Sequence, residues 1–110
     1  MIALALAVSI TFGGWSPPPA SLGGVRGVAS WYRYIPGHAA AGPVLRRALG
    51  PAWRGKVVTV CRRTRTSAVC ARVKLSDSMA RKDRLIDLDL GTFALFAPPS
   101  RGIVYVEVRP

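Results

Sequence analysis

The chain has 110 residues, half of them apolar, with sixteen Lys and Arg against five Asp and Glu and a formal charge of +11. That length allows one domain around a single core, and the apolar content excludes a disordered chain or a bare linker. The charge implies affinity for polyanions (nucleic acid, anionic lipid or acidic wall polymer) without choosing among them. The basic residues are spread over Arg46 and Arg47, Arg62 to Arg65, Arg72, Lys74 and Arg81 to Arg84, so a dedicated nucleic-acid face is not favoured.

Met1 to Phe12 is almost entirely apolar and is stopped by Gly13-Gly14 and Pro17-Pro18-Pro19. The run is shorter than the roughly 20 residues that span a bilayer. It has the length of an export-signal core, although no Lys or Arg precedes it. Residues 1–24 therefore read as an apolar leader with a Pro/Gly linker, and residues 25–110 as one domain. Gly27 to Tyr34, rich in aromatic and β-branched residues, predicts a first strand ended by Pro36-Gly37. His38 to Pro43 reads as an Ala/Gly-rich loop, and a short helical turn is predicted over Val44 to Ala48.

Val57 to Cys61 and Ser67 to Leu75 predict two strands joined by a hairpin folded about Arg65 and Thr66. That register sets Val60 against Ala71 and Val58 against Val73 on one face, and Cys61 against Cys70 on the other. The pair is either a cross-strand disulfide or two reduced thiols; the apolar leader favours the bridge, and the bridge in turn favours export. Two cysteines and one histidine do not make a metal site, and no glycine pattern asks for a nucleotide, so neither metal nor cofactor is expected.

Four of the five acidic residues, Asp77, Asp83, Asp87 and Asp89, lie between Arg72 and Leu90. The plain explanation is helix capping and neutralisation of nearby arginines; the functional one is a site. Ser76-Asp77-Ser78 reads as a polar loop, and Leu85 to Leu88 as a strand with Asp87 set between Ile86 and Leu88. Asp89 is placed to cap a helix over Leu90 to Phe96, with Leu90, Phe93 and Ala94 on its inner face. Ile103 to Arg109 predicts the final strand, with Val104, Val106 and Val108 buried and Tyr105, Glu107 and Arg109 outward.

In order and spacing, five segments resemble the RlpA-like double-psi β-barrel family, named after rare lipoprotein A and related to the barrels of expansins and barwin-like endoglucanases. They are Gly27 to Tyr32, Gly55 to Val60, Val73 to Asp77, Leu85 to Leu88 and Arg101 to Val106, and the likeness covers Val25 to Arg109. The count of five or six short strands with one or two short helices already suggests a small closed β-barrel; the likeness makes it a mainly all-β, six-stranded double-psi β-barrel with one or two short helices. It further implies a secreted or cell-envelope protein, a monomer without a transmembrane span, whose partner is peptidoglycan or another anionic cell-wall polysaccharide. The activity implied is lytic transglycosylation, which one carboxyl can perform as acid and then base, whereas a typical glycoside hydrolase uses two.

By the same likeness Asp77 matches the family's catalytic acid, and Asp87 matches the aspartate that serves as acid in the expansin and endoglucanase relatives. Ser30 and Tyr32, within the first segment, are the matching candidates for sugar contact. Trp31 and Tyr34 are also candidates for stacking on sugar rings; by alternation Tyr34 shares a face with Tyr32 and Trp31 takes the opposite one, so at most one set lines a groove. Trp53, in an exposed loop, and His38, in the Ala/Gly loop, are further candidates from the residues themselves. The chain departs from the family at Ser78-Met79-Ala80-Arg81, where the family has Arg-Gly-Pro-Phe, and near Leu49, where the family's active-site histidine falls. Three functions are thus on the table: a peptidoglycan lytic transglycosylase with Asp77 as general acid/base, a non-catalytic expansin-like wall binder, and a basic nucleic-acid-binding barrel, the last least supported by the placement of aromatics and aspartates.

Overall fold

Alternation of apolar and polar residues in the middle of the chain dictates a hairpin, and the hairpin forms. Strand β4 (Val57–Arg63) runs antiparallel to the twelve-residue strand β5 (Ser67–Ser78), with Val58 opposite Val73, Val60 opposite Ala71 and Cys61 opposite Cys70. Cys61 and Cys70 are joined by a disulfide, with Cα atoms 4.1 Å apart. The structure, a computed structural model, describes the backbone of residues 8–12 and all of residues 24–110.

The other strands are β1 (Val8–Phe12), β2 (Val25–Tyr32), β3 (His38–Ala41), β6 (Ile86–Asp89) and β7 (Val104–Arg109). Around the sheet β5, β3, β6, β2, β7 and β4 follow one another, and β4 returns to β5, so six strands close a barrel. Two of its pairs, β2 with β6 and β3 with β5, are parallel, and the rest are antiparallel. β1 lies along the first half of β5, Val8 opposite Ala71 and Phe12 opposite Ser67. Apart from those five residues, the leader and linker read in residues 1–24 fall almost wholly outside the described residues.

Inward positions at every second residue fill the barrel: Val58 and Val60, Val73 and Leu75, Ile86 and Leu88, and Val104, Val106 and Val108, all at 4% exposure or less. Two short helices close its ends. Helix α1 (Pro43–Leu49) buries Leu45, and helix α2 (Leu90–Phe96) starts at Asp89, whose carboxylate accepts from the Thr92 N–H, as the sequence predicts. α2 packs against β2, β5 and β6. Its buried face is Thr92, Phe93 and Phe96, not Leu90 and Ala94, which are exposed. With the cap at Asp89, residues one turn on from Phe93 are the ones that meet the core.

Two sequence expectations change. His38–Ala41 is not a loop but strand β3, inserted between β5 and β6, and β5 does not break at Ser76 but continues to Ser78. At the end of β3, Gly42 donates its N–H to the Leu85 carbonyl, and a Cβ there would lie 2.2 Å from the Arg84 carbonyl oxygen, so only glycine permits the approach. Among the described residues no helix is long and apolar enough to cross a membrane.

Candidate functional site

The site is built on the outer side of β3, from the residue type that predicts a strand least. Ala39 and Ala41 face the core, whereas Ala40 lies outside the core cluster and is nonetheless 0% exposed. Ala40 pairs with Asp77 on β5 and with Asp87 on β6. Two strand spacings put the backbones of these aspartates on the order of 10 Å apart, with the fully buried Ala40 between them.

A β-bulge makes that pairing possible. Ala39 pairs with Leu75 and Ala40 with Asp77, which leaves Ser76 as the extra residue. Without it, strict alternation from Val73 and Leu75 would turn Asp77 into the barrel; with it, Asp77 stands exposed on the outer face. The Asp77 carboxylate accepts the Ser78 N–H at 2.8 Å, and no other group among the described residues donates to it.

Asp87 is half-buried, and both its oxygens are occupied. Ser30 Oγ donates to Oδ1 at 2.9 Å and the Tyr34 hydroxyl donates to Oδ2 at 3.1 Å. The first contact follows from β2 running parallel to β6 with Ser30 opposite Asp87; the second comes from the turn just beyond β2, where Tyr34 N–H bonds back to the Tyr32 carbonyl. Partial burial, and then the negative charge and hydrogen bond of Asp87, push the Tyr34 phenol well above its ordinary pKa of 10.0; Asp77 adds to the effect. Tyr34 is therefore a protonated donor throughout the neutral range, between Asp87, which it touches, and the charge of Asp77. Tyr32, 63% exposed, stacks beside it at 5.6 Å between ring centroids, tilted by 59°.

No protein-family model, curated protein or solved structure matches this chain.

Of the candidates read from the sequence, Asp77, Asp87, Ser30 and Tyr32 share this outer face. Trp31 takes the opposite one, packing against the core and donating Nε1–H to the Pro99 carbonyl. His38 is half-buried on β3, two residues from Ala40, with Nδ1 2.9 Å from the Oγ of the bulged Ser76. Trp53 is not an exposed platform. It is half-buried against the core, and the guanidinium carbons of Arg54 and Arg46 lie 4.6 and 5.9 Å from its ring centroid.

Those two arginines brace the backbone on either side of Asp77. Arg54 donates to the Ser76 carbonyl at 2.8 Å, and Arg46 donates to the carbonyls of Ala41 and Met79 at 2.7 and 2.9 Å. Leu49, near the family's histidine position, packs against the core.

The acidic segment divides into two pairs. Asp83 neutralises Arg81 and Arg84 at 2.8 and 2.7 Å, and the hydrogen bond from Arg81, first of all, holds its carboxyl below the ordinary range. Asp89 is buried as the helix cap. Asp77 and Asp87 are left on the outer face on either side of β3. Tyr34 is on the face that alternation gives it, with Tyr32 the preferred aromatic in the sequence; Ala40 was marked by nothing local.

Proposed function

We propose that the chain is an exported, cell-wall-directed barrel that acts on peptidoglycan glycan strands as a lytic transglycosylase, with Asp77 as general acid/base. One observation carries this reading: an exposed carboxylate and a hydrogen-bonded carboxylate stand on either side of the buried Ala40, on the two strands that flank β3, beside an exposed tyrosine ring able to take the apolar face of a sugar. The disulfide agrees with an oxidising compartment.

In the reaction, the Asp77 carboxyl gives its proton to the glycosidic oxygen as the C–O bond breaks. A hydroxyl of the same sugar closes on the cationic carbon and yields its proton to the Asp77 carboxylate. The products are a shortened strand and an anhydro-sugar end, no water is consumed, and the acid is restored. A strand lying over Asp77 excludes water from it. Asp87, fixed by Ser30 and Tyr34, serves as acceptor for a sugar hydroxyl and steadies developing positive charge.

A second reading, non-catalytic wall binding, has its own support in Leu49, which packs against the core where the family carries a histidine. Incubation with denuded peptidoglycan separates the two. Cleavage predicts anhydro-sugar ends, and their loss in Asp77→Asn at unchanged circular dichroism. A wild-type protein that is retained on sacculi but releases no product establishes the binder.

A further inference from the structure

Away from the groove, the basic residues that lie scattered in the sequence come together. On the outer side of β5, Arg72 and Lys74 alternate with the buried Val73 and Leu75. The register carries this face across four neighbouring strands. Arg72 sits opposite Thr59 on β4 and Thr59 opposite Arg109 on β7, while Cys61 sits opposite Glu107 and Glu107 opposite Arg26 on β2.

With Arg63 at the end of β4, the band presents five cations to one carboxylate. Part of it is concave: Arg26, Arg63, Glu107 and the 63% exposed Tyr105 line a shallow depression of about 170 Å³ over Cys61. Arg109 also donates to the Cys61 sulfur at 2.9 Å, which ties this cation to the disulfide.

We propose that this band is a second binding surface, for an extended phosphodiester polymer of the wall of the poly(glycerol phosphate) type, separate from the groove that holds Asp77 and Asp87. Side chains two apart on one strand are about 6.8 Å apart, and neighbouring strands about 4.8 Å, so the cations form a track for closely spaced charges on a thin chain. A single-stranded nucleic acid needs rings on which successive bases stack, and among the described residues of this band only Tyr105 offers one. Duplex DNA needs an element that enters a groove, and the band is a smooth sheet face. An anionic bilayer rewards apolar side chains that penetrate it, and the band offers little more than Val57. The choice of a wall polymer rests on the wall-directed reading; the existence of a polyanion track does not.

The test is binding of fluorescently labelled poly(glycerol phosphate) over a salt series, to the wild type, to Arg26→Gln/Arg72→Gln/Lys74→Gln and to Asp77→Asn. Single-stranded DNA of equal phosphate number and phosphatidylglycerol vesicles are the comparison ligands. All three substituted cations are exposed, so the fold is retained. The expected result is that the triple variant loses about 2 from the slope of log K against log salt, at about 0.7 per cation, that Asp77→Asn binds as the wild type does, and that DNA and vesicles bind more weakly than the polymer. Absence of polymer binding, a slope unchanged in the triple variant, or DNA or vesicles held at least as tightly would overturn the proposal. Release of anhydro-sugars is read in a separate assay, so failure of the groove chemistry does not count against the band.

Discussion

Tyr34 keeps its phenolic proton because it is partly buried and faces Asp87, and Asp87 in turn depends on that proton for one of its two hydrogen bonds. Tyr34→Phe is expected to cost about 1 kcal/mol at neutral pH, the ordinary net value of one such bond. The sign of the pH dependence follows from linkage. Above the ordinary phenol pKa of 10.0 the unfolded chain loses this proton first, so it binds fewer protons than the folded chain and stability falls with rising pH. The contribution is complete below that value and fades above it, so the gap in urea midpoint between wild type and Tyr34→Phe should be widest at neutral pH and narrow at about pH 11. A gap that is constant or widens would show that Tyr34 does not donate to a carboxylate. Asp77 was singled out in the sequence through its place in a motif. Its exposure was not legible there, because the bulge that exposes it is a property of the pairing with β3.

At the scale of the element, α2 depends on its cap. Asp89 is buried, accepts from Thr92 N–H and lies directly after β6, so Asp89→Ala should lower stability by about 1 kcal/mol. Circular dichroism melts should show the loss with anhydro-sugar release otherwise kept, since Asp89 belongs to the frame and not to the groove. β4, β5, β6 and β7 could be read from their own alternation, and α2 from its cap at Asp89, although of the inner face read as Leu90, Phe93 and Ala94 only Phe93 is buried. β3 could not. His-Ala-Ala-Ala has low strand propensity, and its three alanines are wanted for their size, since both faces of the strand are covered and Gly42 must pass the Arg84 carbonyl directly after it. Strand formation there is imposed by β5 and β6 from outside the segment, so no local pattern announces it.

For the whole molecule, the disulfide is the one covalent tie across a barrel otherwise closed by hydrogen bonds. It links residues nine apart in sequence, and a loop of that size corresponds to about 2–3 kcal/mol of chain entropy. In a domain this small the Cys61→Ala/Cys70→Ala variant should unfold roughly 10–20 °C lower than the oxidised protein, measured by thermal unfolding; an unchanged midpoint would mean that the hairpin register holds without the tie. A small closed barrel could be read from the count of short strands, but its strand order could not. Strand order and the two parallel pairs join segments far apart in the chain, and alternation within a strand says which face is buried but not which neighbour it meets. The gathering of Arg26, Arg63, Arg72, Lys74 and Arg109 on one side was hidden for the same reason.

The bulge at Ser76 is the one place where β5 carries a residue that its pairing does not need. Val73 and Leu75 are in phase with the core, Asp77 is in phase with the solvent, and one residue separates the two phases. An in-frame loss of Ser76 would straighten the ladder with Ala39 still opposite Leu75 and Ala40 still opposite Asp77, so the carboxylate would stay outside, and replacing Ser76 by another residue leaves the phase intact as well. At this one point of the strand, evolution is free both to substitute and to delete.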